Sequence, residues 1–296
     1  MQFTRERVMH ELKRRTLRVT NVTRVAPDYA RITVTSPELE GFEAPGPADH
    51  IKLIFGEAHG RPIMRDYTPL NFRETAEGYE LDIDMVLHET DGPASDWAKE
   101  AAPGQLIQQA GPRGSKLAPA GITEMVLVAD ETAFPAVSRW LEAVSDAVTV
   151  HKFFFTVDER MRAYFDDQDD ITWFDIDEAP EGILAELRKL TITDTTFAFL
   201  AGEAITITPC AAIYAAKPAC ASTNSTHRAT GSVGLQSSTT TSHSTQKTLT
   251  SRTESASRPL LVRSKPLVQR REAPHVRQSN VLSLWPRNLG RLRRAH

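Results

Sequence analysis

Near Gly121 the chain changes its hydrophobic rhythm, and that change constrains the fold more than any other feature. Before it, residues 16 to 115 hold six short runs: TLRVTNVTRV, YARITVTS, HIKLIF, MRDYTPLNF, YELDIDMVLH and QLIQQAG. They are β-branched or alternating and are punctuated by Pro37, Gly46, Pro47, Gly60 and Gly78. Six strands with a single helix over Ala94–Ala101 predict a small closed barrel. After Gly121, the apolar runs EMVLVAD, VTVHKFFFTV, ITWFDI and TTFAFLAG alternate with helical stretches at Ala133–Ala147, Glu159–Asp166 and Glu181–Leu190. Alternation of that kind predicts βαβ units on a parallel sheet, a Rossmann-like domain. Ligands of such sheets bind beyond the carboxyl ends of the strands. The rule places Ala129–Thr132 and Ala201–Glu203 beside a ligand.

A second change comes at Thr206. The formal charge of −3 hides an asymmetry: from Thr206 onward 14 Lys or Arg face only Glu254 and Glu272, which leaves 21 basic against 36 acidic residues before it. The acidic front argues against nucleic acid as a partner, since phosphate contacts need clustered cations. The tail, residues 206–296, holds 25 Ser or Thr and no clear period, so it is expected to be disordered. No apolar run approaches the roughly 20 residues that cross a bilayer, and MQFTRERVMHELKRR lacks a signal-peptide centre. A cytoplasmic protein without stable membrane association is the expectation. Both cysteines, Cys210 and Cys220, lie in the tail, so redox chemistry in the front part must come from a cofactor.

Three motifs carry that chemistry. RDYTP at Arg65–Pro69 sends Arg65 and Tyr67 to one face of an extended strand, a pairing suited to an anionic pyrophosphate and a flat ring. HETDGPASDWA at His88–Ala98 opens a helix with Gly92 and Pro93, leaving backbone N–H groups that attract phosphate. GPRGS at Gly111–Ser115 is a Gly-flanked turn with a further cation, Arg113.

With VADETAFPAV at Val128–Val137 and FLAGEA at Phe199–Ala204, the order of these motifs resembles the siderophore-interacting proteins over roughly residues 10–205. These are flavin-dependent ferric-siderophore reductases of the ferredoxin-reductase-like superfamily. The resemblance implies an antiparallel Greek-key barrel holding FAD over residues 10–118 and an NAD(P)H-binding α/β domain over 119–205. It implies NADPH or NADH as co-substrate, a ferric siderophore as substrate, and a monomer. Arg65 would pair with the pyrophosphate, Tyr67 would pack against the isoalloxazine, and Thr68 would add hydroxyl or backbone contacts. His88 is assigned to flavin contact rather than proton transfer. Gly92, Pro93, Ala94 and Ser95 form the phosphate-facing helix start, and Trp97 belongs to the core. Asp130, Thr132 and Ala133 cap the next helix and line the nicotinamide site, with Glu203 nearby. Lys52 and Arg113, with Lys116, are the cations available to an anionic chelate. No residue is assigned as a proton-transfer catalyst or metal ligand.

The chain departs from the family pattern at Leu70, where relatives carry an arginine although Arg73 is nearby, and at Asp96, where a basic residue is frequent. The expected helix and GYW-type strand after AGEA are absent from the sequence as read. Codons can be chosen for Pro209–Gly234 whose reading two bases later restores an Arg-rich helix and a GYW strand, so a frameshifted carboxyl end is a further expectation. Two other functional readings remain beside the reductase. One is a general NAD(P)H:flavin or ferredoxin-type reductase, and the other is a flavin-binding protein silenced by its altered end.

Overall fold

A computed structural model of the chain describes residues 5–87, 92–215 and 225–230. In its front half β1 (Arg7–Met9), β2 (Arg14–Ala26), β3 (Tyr29–Thr35), β4 (Ile51–Ala58), β5 (Arg61–Tyr67), β6 (Pro69–Thr75) and β7 (Gly78–Val86) lead to helix α1 (Pro93–Glu100). Strands β8 (Leu106–Ala110) and β9 (Gly114–Lys116) follow. Seven strands form one antiparallel sheet in the order β5-β4-β8-β2-β3-β7-β6, while β1 and β9 pair as a separate ribbon.

The expected six strands become seven because the run MRDYTPLNF breaks at Thr68. Pro69 has no backbone N–H and restricts the residue before it, so Thr68 leaves the ladder. The two pieces then pair at opposite edges of the sheet, β5 with β4 and β6 with β7. Thr68 alone joins those edges, so the sheet must curl until they meet there. The expected barrel is present, with its seam inside RDYTP. Its interior is filled by Leu17, Ile32, Val34, Leu53, Leu81 and Ile83, and Trp97 packs against this core.

The back half runs β10 (Glu124–Ala129), α2 (Phe134–Ala143), β11 (Thr149–Thr156), a 3-10 helix at Glu159–Phe165, β12 (Ile171–Asp175), α3 (Ala179–Lys189), β13 (Thr196–Glu203), α4 (Ala204–Ala215) and β14 (Ser225–Thr230). All five strands are parallel, in the order β12-β11-β10-β13-β14. The order reverses between β10 and β13, which makes their carboxyl ends the switch point where ligands of such sheets bind. Continuous apolar burial of β10 and β13 follows from cover on both faces. One face packs Phe134, Trp140 and Phe154 together with the barrel's Ala26 and Tyr29. The other packs Ile183 and Leu187 of α3 and Ile207, Cys210 and Tyr214 of α4.

The carboxyl end differs from expectation. The structure does not stop at residue 205 but continues with α4 and pairs β14 beside β13. Ile207, Cys210 and Tyr214 lie three and four residues apart, which aligns them as one buried stripe. Pro209 sits inside that helix and removes one of its donors. The rest of the tail lies outside the described residues.

Candidate functional site

A cavity of about 720 Å³ opens where the barrel seam meets the carboxyl ends of β10 and β13. That volume falls within the roughly 300–1,000 Å³ usual for small-molecule sites. From the seam it receives Arg65, Tyr67 and Thr68; from α1, Ala94 and Ser95; from the turn after β10, Thr132 and Ala133. The structure therefore brings seven of the expected site residues to one cavity. It adds Tyr29, His50 and Asp84, which the sequence did not single out, and Gly202 from the strand end expected beside a ligand.

Arg65 is exposed; its Nη1 donates to the Met64 carbonyl at 2.9 Å, and among the described residues no carboxylate pairs with it. A guanidinium held this way keeps donors for a phosphate. Tyr67 is half-buried, with Phe55 edge-on at 6.1 Å and Trp97 beyond it at 5.8 Å from Phe55. Burial pushes the Tyr67 phenol well above its ordinary range, against the opposing charge of Arg65, so it remains a neutral donor. At the start of α1, Pro93 needs no partner, and the N–H groups of Ala94 and Ser95 precede the first helical hydrogen bond, Asp96 N–H to the Gly92 carbonyl at 2.8 Å. Free guanidinium, half-buried phenol and helix N–H groups fit a flavin dinucleotide.

Asp96 works against that fit. Its Oδ1 accepts from the Gly92 N–H at 3.4 Å, which sets a negative charge where an anion would bind. Arg73 does not compensate for Leu70: it donates to Glu80 at 2.6 Å and to Asp82 at 3.0 Å, while Leu70 is buried.

The turn after β10 is built around Asp130. Its Oδ1 accepts from the Thr132 N–H at 2.9 Å and hydroxyl at 2.6 Å, and its Oδ2 accepts from the Glu203 N–H at 2.7 Å. This carboxylate ties the end of β10 to the end of β13 and does not line the cavity. Burial raises its pKa, with these hydrogen bonds opposing. A Cβ on Gly202 would lie 2.7 Å from Asp130 Oδ2, at a φ of +148°. Glycine there lets β13 close on the clamp. Glu131 is buried too, its Oε2 without a partner among the described residues. Burial and then the Asp130 charge raise its pKa to about 7.

The remaining expected residues stand apart from the cavity lining. Glu203 contributes its backbone to the Asp130 clamp. Gly92 and Pro93 shape the start of α1 without lining the cavity. Lys52 is paired with Asp66 at 2.7 Å on the β4–β5 edge, opposite Ala110, and Arg113 is exposed three residues further along the chain. His88 lies outside the described residues.

The model of the siderophore-interacting FAD-binding domain matches residues 18–62 and 57–116, and that of the siderophore-interacting protein matches 122–225. The chain belongs to the siderophore-interacting protein family. The second match runs twenty residues past the expected domain end at 205, through α4. Among relatives, an NADPH-dependent ferric-chelate reductase of Escherichia coli is 34% identical over 222 residues, covering 67% of this chain and 85% of the relative. A ferric vibriobactin reductase of Vibrio cholerae is 26% identical over 211 residues, 63% of this chain and 77% of the relative. A siderophore utilization protein from T. fusca superposes with a TM-score of 0.66 at 28% identity, covering 79% of this chain and 99% of that one. Membership fixes the fold of both halves and the flavin identity of the barrel's ligand. Among the described residues no helix is long and apolar enough to cross a membrane.

Proposed function

We propose that this siderophore-interacting protein is an NADPH-dependent ferric-siderophore reductase that acts in the cytoplasm as a monomer. One observation carries the reading: the seam residues Arg65, Tyr67 and Thr68 face the same cavity as Thr132 and Ala133, at the switch point of the parallel sheet. In this reading the flavin and nucleotide seats share one space. The relatives named as ferric-chelate and ferric vibriobactin reductases support the substrate class.

Arg65 would hold the pyrophosphate with Ala94 and Ser95, Tyr67 would cover the ring, and Thr68 would border it at the seam. Thr132 and Ala133 would receive the nucleotide, with Asp130 and Glu203 holding their turn in place. Bound there, FAD supplies the conversion of a two-electron hydride donor to single-electron transfer to iron. Hard oxygen chelators favour Fe(III), so reduction loosens their grip. Lys52 and Arg113 sit near one barrel edge, where they would draw an anionic chelate toward the cavity mouth.

Anaerobic absorption spectra test this reading. NADPH should bleach protein-bound FAD, and ferric citrate should restore its colour. FAD that stays oxidised with NADPH, or stays bleached with the chelate, overturns it. For the carboxyl end we propose replacement by frameshifted sequence; Pro209 inside α4 and the buried Thr206 hydroxyl, unpartnered among the described residues, support it. An intact reading frame across codons 203 to 212 of the gene would refute it.

A further inference from the structure

Two tyrosines cross the boundary between the barrel and the nucleotide half in opposite directions. Tyr29 opens β3 and is buried; its hydroxyl donates to the Glu131 backbone carbonyl at 2.6 Å, in the turn between β10 and α2. Tyr164, in the 3-10 helix after β11, donates to Oδ2 of Asp84 on β7 at 2.7 Å. The two rings meet with centroids 4.9 Å apart, and Tyr164 packs on Phe134, the first residue of α2, at 5.6 Å. Asp84 is itself fixed by Arg31, whose Nε and Nη2 each donate at 2.8 Å. The Asp84 side chain is fully buried, so losing a donor there is costly. Burial holds both phenols far above their ordinary range, which keeps them hydrogen-bond donors at any working pH.

Tyr29 and Asp84 also line the cavity, beside Thr132 and Ala133. Tyr29 thus ties β3 to the turn before α2, while Tyr164 ties β7 to the 3-10 helix and packs on Phe134, which follows that turn. The neighbouring ion pair of Arg160 with Asp28 is exposed on both sides and adds little.

We propose that Tyr29 and Tyr164 are positioning residues: a reciprocal pair of hydrogen bonds that sets the gap between the flavin seat and the nucleotide turn. They govern how fast NADPH reduces the protein, without governing flavin affinity or electron transfer to the chelate. A misplacement of about 1 Å between reacting groups costs on the order of a hundredfold in rate, so the gap is a sensitive target.

The variants Tyr29→Phe, Tyr164→Phe and the double variant keep the rings and remove only the hydroxyls. Hydrogen exchange of the purified protein comes first, because it is independent of activity. The amides of Thr132 and Ala133 should exchange at least tenfold faster in the double variant, while those of β3 and β7 keep their rates. In anaerobic stopped flow, the limiting rate of bleaching by NADPH should fall at least tenfold. In Tyr164→Phe, whose ring does not line the cavity, FAD affinity and reoxidation of dithionite-reduced protein by ferric citrate should stay within twofold. Unchanged exchange at the turn overturns the proposal, as does bleaching within twofold of wild type or a parallel loss of bleaching and reoxidation. If the double variant does not fold, the single variants carry the same comparison with a threefold criterion. The kinetic arm rests on the reductase reading; wild-type protein that NADPH does not bleach would sink that reading alone, and hydrogen exchange would still decide the proposal.

Discussion

Two junctions border the cavity, and they are built in opposite ways. At the barrel seam, β5 and β6 are joined through Thr68, with an exposed Arg65 and a half-buried Tyr67 beside it. At the junction of β10 and β13, the buried Asp130 carboxylate is saturated by Thr132 and Glu203, and Gly202 leaves no room for a side chain. The seam keeps side-chain donors in reserve, whereas the β10–β13 junction has spent its Asp130 carboxylate on its own backbone and offers shape. Affinity for a dinucleotide's phosphates should thus reside in the barrel, and the parallel sheet should set geometry.

The largest expected effect concerns the acid buried at the β10–β13 junction. Glu131 holds its proton up to about pH 7 in the folded state, against an ordinary value of 4.5. Between those values the unfolded chain has already lost the proton, so stability falls as pH rises through the window. The full drop approaches about 3 kcal/mol. Denaturant unfolding from pH 5 to 8 should show this decline in wild type and a shallower one in Glu131→Gln; equal slopes would mean that the turn is not strained by a buried charge. Next, Arg65→Ala should weaken FAD binding roughly ten- to a hundredfold, the range for a charge-assisted hydrogen bond of about 1.5–3 kcal/mol. Fluorescence titration measures it, and an unchanged affinity would erase the contrast between the junctions.

Gly202→Ala should cost about 1–3 kcal/mol of stability, because an L residue is strained at that φ and its Cβ meets Asp130. Chemical denaturation reads the loss, and FAD affinity should move far less than in Arg65→Ala. The smallest effect is Asp96→Asn, which removes a negative charge from the start of α1. Roughly 0.3–1 kcal/mol tighter FAD binding is expected, about a two- to fivefold change by titration at low salt.

The barrel side of the cavity lining was legible because it is local: RDYTP and GPAS each bring their residues to the cavity within a few positions. The split of MRDYTPLNF at Thr68 was not, since which edge each piece joins depends on pairing with β4 and β7, far away in sequence. Asp84 left a faint signal, as one of two acids spaced two apart in the apolar run LDIDMV, but its partners Arg31 and Tyr164 lie 53 and 80 residues away. Three-residue strands such as β1 and β9 carry no readable period, so their ribbon went unseen. Helix α4 was hidden by composition: Pro209 and the Ser/Thr-rich stretch after it outweighed a stripe of only three buried residues. Lys52 is the converse case, a cation visible in sequence whose pairing with Asp66 across β4 and β5 was not.

A sheet whose outermost strands are linked by one residue has no ladder of hydrogen bonds across that gap, and among the described residues β5 and β6 have no further strand beside them. Bare edges are templates for another chain. A flavin bound at the seam, as proposed, would cover part of that gap, so emptying the site should do more than abolish colour: it should leave the protein prone to sticking to copies of itself.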